Sequence, residues 1–238
     1  MRVGLIQSNY IPWRGYFDFI DDVDLFIFHD DIQYTKKDWR NRNLIKTPQG
    51  KQWLTVPVKG LLSHNLINEV SIDYSQDWIS YQVNRFDECY RKAPFFNDAF
   101  HFLEVIQQKR ITSLSELNQC LIIEICKYLD INTPFETSST FSPHGTKTTR
   151  IIDILKKTGA DVYLSGPSAE GYLDNSLFVK NCIQLEYKNY TYDPYPQQWG
   201  SFIGDVTILD LIANCGPDAS NFIKSKKGNT VVIKSIHK

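Results

Sequence analysis

The chain has 238 residues, of which 42% are hydrophobic and 22% are charged. That length and composition are those of a globular protein with a substantial core, which excludes an intrinsically disordered chain. The formal net charge is -1 at pH 7, so the chain lacks the basic field of a dedicated DNA-binding protein.

Cysteine usage indicates a reducing compartment. The five cysteines include no C-x-x-C pair, which argues against a disulfide framework and against a zinc site. No apolar run approaches the ~18 residues of a membrane span, and the short apolar N-terminus is typical of a first strand rather than of a signal peptide. We therefore expect a cytoplasmic protein with no membrane span.

The N-terminal part of the chain predicts the opening of an α/β domain. Residues 3–6 form an apolar strand, residues 16–20 a short helix and residues 24–28 a second, buried strand. A strand–loop–helix–strand unit of this kind is typical of a parallel sheet. Further strands are predicted at residues 52–58 and 68–72.

A helical block follows. Apolar residues recur at helical spacing over residues 78–90 and 98–109. A third helix begins at Ser113, which stands with Glu116 at the spacing of a capping box and is followed by an apolar run over residues 117–129. The periodicity therefore predicts three consecutive helices without an intervening strand.

The rest of the chain returns to α/β character. Its predicted elements are a helix at 148–157 ended by Gly159, strands at 161–165 and 183–187, a helix at 205–213 and an edge strand at 230–236. We predict a three-layer α/β core with a mainly parallel sheet, folded as one compact unit. Residues 1–75 and 131–238 form the two halves of that core, and residues 76–130 form a helical insertion or subdomain.

The segment after the first strand is the first candidate binding site, because ligands of open α/β sheets bind at the carboxyl ends of the strands. Its candidate substrate-binding residues are Gln7, Asn9, Trp13, Arg14 and Tyr16. Residues 13–16 also occupy the place of the H-x-G-H signature of nucleotidyltransferases and class I synthetases, which points to a nucleotidyltransferase-like (HUP-like) fold. Both histidines are replaced here, so the imidazoles that stabilise phosphate in that chemistry are absent.

Two adjacent carboxylates end the second strand. Asp30 and Asp31 beside His29 are candidate catalytic groups, because neighbouring like charge raises a carboxyl pKa and suits one of the pair to act as a general base. Candidate substrate-binding residues follow in the next loop: Gln33, Asn41 and Arg42. The guanidinium of Arg42 suits a carboxylate or a phosphate.

Three segments of the second half contribute further candidates. Lys147 and Thr148 begin a predicted helix, whose N-terminus can hold an anion although the Walker spacing fails. The loop after the strand at 161–165 offers Ser165, Gly166, Ser168 and Tyr172, and Gln197 lies farther on among aromatic residues. No motif predicts a metal site, and the sequence leaves the cofactor open.

Taken in order, these motifs resemble the WbqC-like protein family. The matching segments are QSNYIPWRGY (7–16), DDIQY (30–34), WRNR (39–42), WLTVP (53–57), TTR (148–150), YLSG (163–166), YLD (172–174) and ILD (208–210), together with Gln197. The chain departs from the family at Ser8, where proline is usual. The resemblance spans nearly the whole chain and implies a bacterial protein of surface-polysaccharide biosynthesis, often of the O-antigen of lipopolysaccharide.

Three functions remain open at this point. The leading hypothesis is a transferase that adds an acyl or aminoacyl group, from a thioester or an aminoacyl-tRNA, to the amine of a nucleotide-linked sugar. Asp30 or Asp31, supported by His29, would deprotonate the amine. Trp13 and Tyr16 would stack on the base or the sugar.

In the same hypothesis Arg42 and Lys147 would hold phosphate. The alternatives are an ATP-using ligase or nucleotidyltransferase-like enzyme and a non-catalytic partner of polysaccharide enzymes. The sequence leaves open the sugar, the acyl donor and whether the chain forms a homodimer.

Overall fold

The structure is a computed structural model that describes residues 1–60 and 64–234. Its strands over these residues are β1 (Arg2–Ile6), β2 (Leu25–Phe28), β3 (Arg42–Thr47), β4 (Gly50–Thr55), β5 (Phe135–Thr137), β6 (Val162–Ser165), β7 (Gln184–Tyr187) and β8 (Thr230–Ile233). Its α-helices are α1 (Arg14–Asp21), α2 (Trp78–Tyr90), α3 (Phe96–Lys109), α4 (Leu114–Tyr128), α5 (Lys147–Thr158), α6 (Asn175–Lys180) and α7 (Ile208–Cys215).

Six strands form one sheet in the order β5-β2-β1-β6-β7-β8. All neighbours in it are parallel except β7 and β8, which pair antiparallel. Strands β3 and β4 form a separate antiparallel hairpin. The predicted α/β class with a mainly parallel sheet is confirmed.

Side chains alternate between the two faces of this sheet, as a strand period of two requires. On β1, Val3 and Leu5 pack with α5 and α6. Between them, a Cβ atom on Gly4 would lie 2.4 Å from Cε1 of Phe19 on α1, so this glycine lets α1 approach the opposite face closely. A second core joins α1 to α2, α3, α4 and α7 on that face. Helices therefore cover both faces and give a three-layer core.

The helices predicted from periodicity are present, with small shifts at their ends. Helix α2 has the predicted bounds, and α4 begins directly after Ser113, whose side chain caps the backbone N–H of Glu116. Helix α7 starts later than predicted because Thr207 is its N-cap. Gly159 ends α5 with a φ of 70°, a value that glycine adopts without strain. The assignment of residues 76–130 to an insertion stays a prediction.

Several elements differ from the prediction. The segment 68–72 holds one 3-10 turn, Ile67–Glu69, and isolated bridges rather than a strand. Strands β3 and β5 and helix α6 were not predicted. Strand β3 mixes charged and apolar residues, and the ammonium of its buried Lys46 donates to Gln197 at 2.8 Å and to the carbonyl of Ser201 at 2.7 Å. Strand β8 covers the start of the predicted edge strand, and residues 235–238 lie outside the described residues. No helix of the described part is long and apolar enough to cross a membrane.

Candidate functional site

A cavity of about 300 Å³ opens at the carboxyl ends of β1 and β6; we name it the main cavity. Strand β1 leads into α1 on one face of the sheet, whereas β6 leads toward α6 on the other face. The two following loops therefore diverge and leave a crevice between them, which is where doubly wound sheets bind ligands. The position of the main cavity therefore follows from the order of the strands and from the faces on which α1 and α6 lie.

The structure brings nine of the predicted site residues to the main cavity: Gln7, Asn9, Trp13, Tyr16, His29, Ser165, Gly166, Ser168 and Tyr172. They come from the ends of β1, β2 and β6 and from the loops that follow. Three further polar or aromatic residues line it that the sequence did not single out: Arg40, Tyr163 and Tyr190. These residues combine flat aromatic walls with one guanidinium and one imidazole.

Trp13 forms the wall at the start of α1. Its ring meets the ring of Tyr190 edge to face, with centroids 5.2 Å apart, and that of Tyr192 at 5.8 Å. A Cβ atom on Gly15 would lie 2.3 Å from Cζ2 of Trp13. Only glycine at position 15 therefore allows the indole to fold back over the first turn of the helix.

Arg40 supplies the guanidinium of the main cavity. Its Nη1 donates to Oε1 of Gln7 and its Nη2 to Oδ2 of Asp38, both at 3.3 Å. The backbone carbonyl of Arg40 accepts a hydrogen bond of 2.8 Å from Asn118 on α4, which fixes the loop. The side chain is only 12% exposed, so an anion in the cavity would meet a cation held in place and partly shielded from water.

Arg42, the predicted anion clamp, lies outside the main cavity. Its guanidinium stacks on the ring of Trp53 at 4.1 Å, and Nη2 donates to the carbonyl of Lys37. Nothing in the run WRNR distinguishes the two arginines, because their directions depend on where β3 begins. Arg40 rather than Arg42 therefore supplies the guanidinium of the main cavity.

Asp30 is buried and does not line the main cavity. One carboxylate oxygen accepts from the backbone N–H of Ser8 at 2.8 Å, and the other accepts from Ser115 and from Gln119. Three donors thus occupy three of the about four lone-pair positions of the carboxylate. Asp30 ties the loop after β1 to α4, and its predicted catalytic role stays a prediction.

Asp31 faces the other way. Its carboxylate forms an ion pair with Arg150 on α5 and accepts from the hydroxyl of Ser138. Oδ1 of Asp31 lies 3.9 Å from Nε2 of His29. The carboxylate is thus a neighbour of the histidine and is not itself part of the cavity wall.

His29 lines the main cavity with 12% of its side chain exposed. Burial lowers its pKa below the ordinary value of 6.5, and this effect exceeds the opposing effect of Asp31. Nε2 is buried without a hydrogen-bond partner. A neutral imidazole of this kind can accept a proton at pH 7, which makes His29 a candidate base with Asp31 beside it, while the predicted use of Asp30 or Asp31 as the base stays a prediction.

Arg14 and Gln197 serve internal networks instead of the cavity. The guanidinium of Arg14 donates to the carbonyls of Asp193 and Phe222 at 2.8 and 3.1 Å, and burial lowers its pKa. Nε2 of Gln197 donates to Oδ1 of the buried Asp210 at 2.6 Å. Both side chains are used within the core, so neither is available to a ligand.

Four other predicted residues also lie away from the main cavity: Gln33, Asn41, Lys147 and Thr148. The Asn41 amide donates to the carbonyl of Val56 at 2.8 Å, and the Thr148 hydroxyl accepts from the backbone N–H of Asp174 at 3.0 Å. Gln33 and Lys147 are exposed. The first turn of α5 is therefore not brought to the candidate site.

A smaller cavity of about 210 Å³ adjoins the main one and shares Asn9 and Trp13 with it. Its other walls are Pro12, Trp39, Asn43 and Asp205. Among the described residues, no group of three or more histidine, cysteine or acidic side chains is arranged to hold a metal ion. The ligand-binding capacity of this region therefore rests on aromatic rings, one guanidinium and one imidazole.

Fold and cavities together define a doubly wound α/β protein with a cavity at the switch point of its sheet. The chain belongs to the WbqC-like protein family, whose profile matches residues 7–222. It is 43% identical over 227 residues to the uncharacterized protein Rv1507c of Mycobacterium tuberculosis, a match that covers 94% of this chain and 97% of that protein. No solved structure matches the chain.

Proposed function

We propose that the protein is a transferase of bacterial surface-polysaccharide (O-antigen) biosynthesis, which adds an acyl or aminoacyl group to the amine of a nucleotide-linked sugar. The observation that carries the proposal is the main cavity, where Arg40 and His29 face a common space between aromatic walls. The pathway comes from the resemblance to the WbqC-like family. The five free cysteines are consistent with a cytoplasmic enzyme.

Arg40 supports the binding of a phosphate group. Guanidinium–phosphate contacts are charge-assisted, and the partial burial of Arg40 strengthens them. The loop after β6 adds Gly166, which has no side chain to block close approach, and the hydroxyl-bearing Ser168. Tyr172, which is 66% exposed on the cavity wall, offers a ring face to a sugar.

His29 supports the chemistry of transfer to an amine. The sugar amine attacks the acyl carbonyl carbon and forms the new C–N bond. His29 accepts the proton that the nitrogen loses, and Asp31, whose Oδ1 lies 3.9 Å from Nε2, stabilises the imidazolium that forms. The bond to the donor's sulfur or oxygen then breaks, and the imidazolium returns its proton to that leaving group.

Thermal unfolding against a ligand panel tests this function. The panel contains UDP-, dTDP-, GDP- and CMP-linked amino sugars, ATP with Mg²⁺, and thioester acyl donors. A ligand at ~100 times its Kd stabilises the folded state by about 2.7 kcal/mol. We expect one class of nucleotide-linked sugar to raise the unfolding temperature of the wild type and of Lys147→Gln equally, and to raise that of Arg40→Gln by clearly less.

The panel also separates the alternatives. Stabilisation by ATP with Mg²⁺ alone would replace acyl transfer by a ligase or nucleotidyl-transfer reaction. No stabilisation by any ligand would refute the enzyme proposal and favour a protein partner. Once a sugar is found, His29→Gln should lower turnover by ~10²-fold or more while leaving sugar binding intact.

A further inference from the structure

The smaller cavity is open and mainly apolar, and it continues the candidate site past Trp13. Asn9 and Trp13 line both cavities, so a single ligand can occupy the two together. The guanidinium and the imidazole lie in the main cavity and not in the smaller one. The two cavities therefore suit two chemically different parts of one molecule.

Trp39 presents a large ring to this smaller cavity. Its side chain is 41% exposed, and the indole of Trp53 lies behind it with centroids 5.3 Å apart. The Arg42 guanidinium in turn stacks on Trp53. The carbonyl of Trp39 accepts a hydrogen bond of 3.0 Å from the backbone N–H of Tyr10, which fixes the loop. An exposed indole supported in this way is a preformed surface for a flat ring.

The polar wall of the smaller cavity is acidic. The Asp205 carboxylate is well exposed and paired with Lys51 at 2.6 Å, so its remaining lone pairs are free to accept hydrogen bonds from a ligand. The Asn43 side chain is not free, because its amide donates to the carbonyls of Tyr10 and Ile11. One flat apolar wall with one carboxylate at its edge suits an aromatic heterocycle that carries N–H donors.

We propose that the smaller cavity binds the nucleobase of the nucleotide-linked sugar, with Trp39 stacked on the base and Asp205 accepting hydrogen bonds from its N–H groups. The assignment rests on the proposed function, which puts the diphosphate at Arg40 and the sugar beside His29. It favours guanine, whose N1–H and N2–H₂ are adjacent donors. Uracil and thymine present one N–H between two carbonyl oxygens, and the carboxylate of Asp205 repels those oxygens.

Calorimetric titration with GDP, guanosine and inorganic pyrophosphate tests the nucleobase site. Stacking is worth about 1–3 kcal/mol per base by alanine substitution, so Trp39→Ala should weaken GDP and guanosine by about 5- to 150-fold. Pyrophosphate, which has no base, should bind this variant as it binds the wild type, which also shows that the variant is folded. Trp39→Phe should keep most of the affinity, and Asp205→Asn should weaken GDP more than UDP.

Tyr81→Ala is the control, since Tyr81 is 56% exposed and lines neither cavity. Equal losses for GDP and pyrophosphate in Trp39→Ala would overturn the nucleobase site. The nucleobase site would also be overturned if the wild type bound GDP no more tightly than pyrophosphate and did not bind guanosine. The proposed phosphate site would stand in that case. Competition of an acyl pantetheine with guanosine in the wild type, together with loss of pantetheine binding in Trp39→Ala, would assign the smaller cavity to the acyl donor and overturn the inference.

Discussion

Replacing Asp30 tests whether this residue is a structural clamp or a catalytic base. Ser8 and Ser115 are buried, and both donate to its carboxylate. In Asp30→Ala these two donors lose their acceptor, at about 1–3 kcal/mol each, whereas the partly exposed Gln119 can turn to water. We expect Asp30→Ala to lose about 2–6 kcal/mol of unfolding free energy, a large share of the ~5–15 kcal/mol of a typical domain.

Asp30→Asn is the milder, isosteric variant. Its remaining carbonyl oxygen can still accept from the Ser8 N–H, and the Ser115 hydroxyl can rotate to accept from the new amide. The cost should be about 1–2 kcal/mol, the loss of one charge-assisted contact. Urea unfolding followed by tryptophan fluorescence measures both variants, with the m-value expected to stay constant.

Asp30 is not a structural clamp if the unfolding free energy of Asp30→Ala lies within about 0.5 kcal/mol of the wild-type value, which is the scatter of ordinary surface substitutions. The clamp argument also fails if Asp30→Asn keeps wild-type stability and nucleotide-sugar binding but loses turnover. That second result would restore the carboxylate as the general base. The expected result is lower stability with unchanged turnover per folded molecule.

Three further results follow from the structure. Because burial lowers the pKa of His29, the unfolded chain binds more protons than the folded one as the pH falls below 6.5, so wild-type stability in urea should fall from pH 7.5 to pH 5.5 by more than that of His29→Gln. Gly15→Ala should abolish nucleotide-sugar binding in calorimetry because the new Cβ displaces Trp13. The melting temperature should change little, because the gain of about 1 kcal/mol from alanine in a helix is offset by the lost contacts of the Trp13 ring. Asp18→Asn should cost about 1–3 kcal/mol in urea unfolding, because the buried Lys188 ammonium loses one of its two carboxylate partners and keeps Asp22 at 2.6 Å.

The sequence predicts the parts of the site that depend on the strand ends. The apolar runs of β1 and β6 locate the carboxyl edge of the sheet, and several residues that follow them line the main cavity, among them Gln7, Asn9, Trp13, Ser165 and Ser168. These predictions work because a parallel sheet brings all its carboxyl ends to one edge. Predicting these residues from the sequence needs no knowledge of contacts between distant side chains.

The roles of the acidic residues depend on tertiary contacts that the sequence does not show. Asp30 and Asp31 are adjacent, but neighbouring residues of an extended segment point to opposite sides. One therefore reaches α4 and the other reaches Arg150 on α5. The role of Gln197 also depends on a tertiary contact. Gln197 lies in an irregular segment without periodicity, so its contact with Asp210 could not be inferred from the sequence.

In the proposed function, the main cavity binds the phosphates of a nucleotide-linked sugar through Arg40. Calorimetric affinities of the best nucleotide sugar for wild type, Arg40→Gln and Lys147→Gln test it most directly, since both variants remove one cation. Loss of a charged hydrogen bond of about 1.5–3 kcal/mol predicts a Kd about 10- to 150-fold weaker for Arg40→Gln and an unchanged Kd for Lys147→Gln. Equal affinities in the two variants, or a larger loss in Lys147→Gln, would contradict the account.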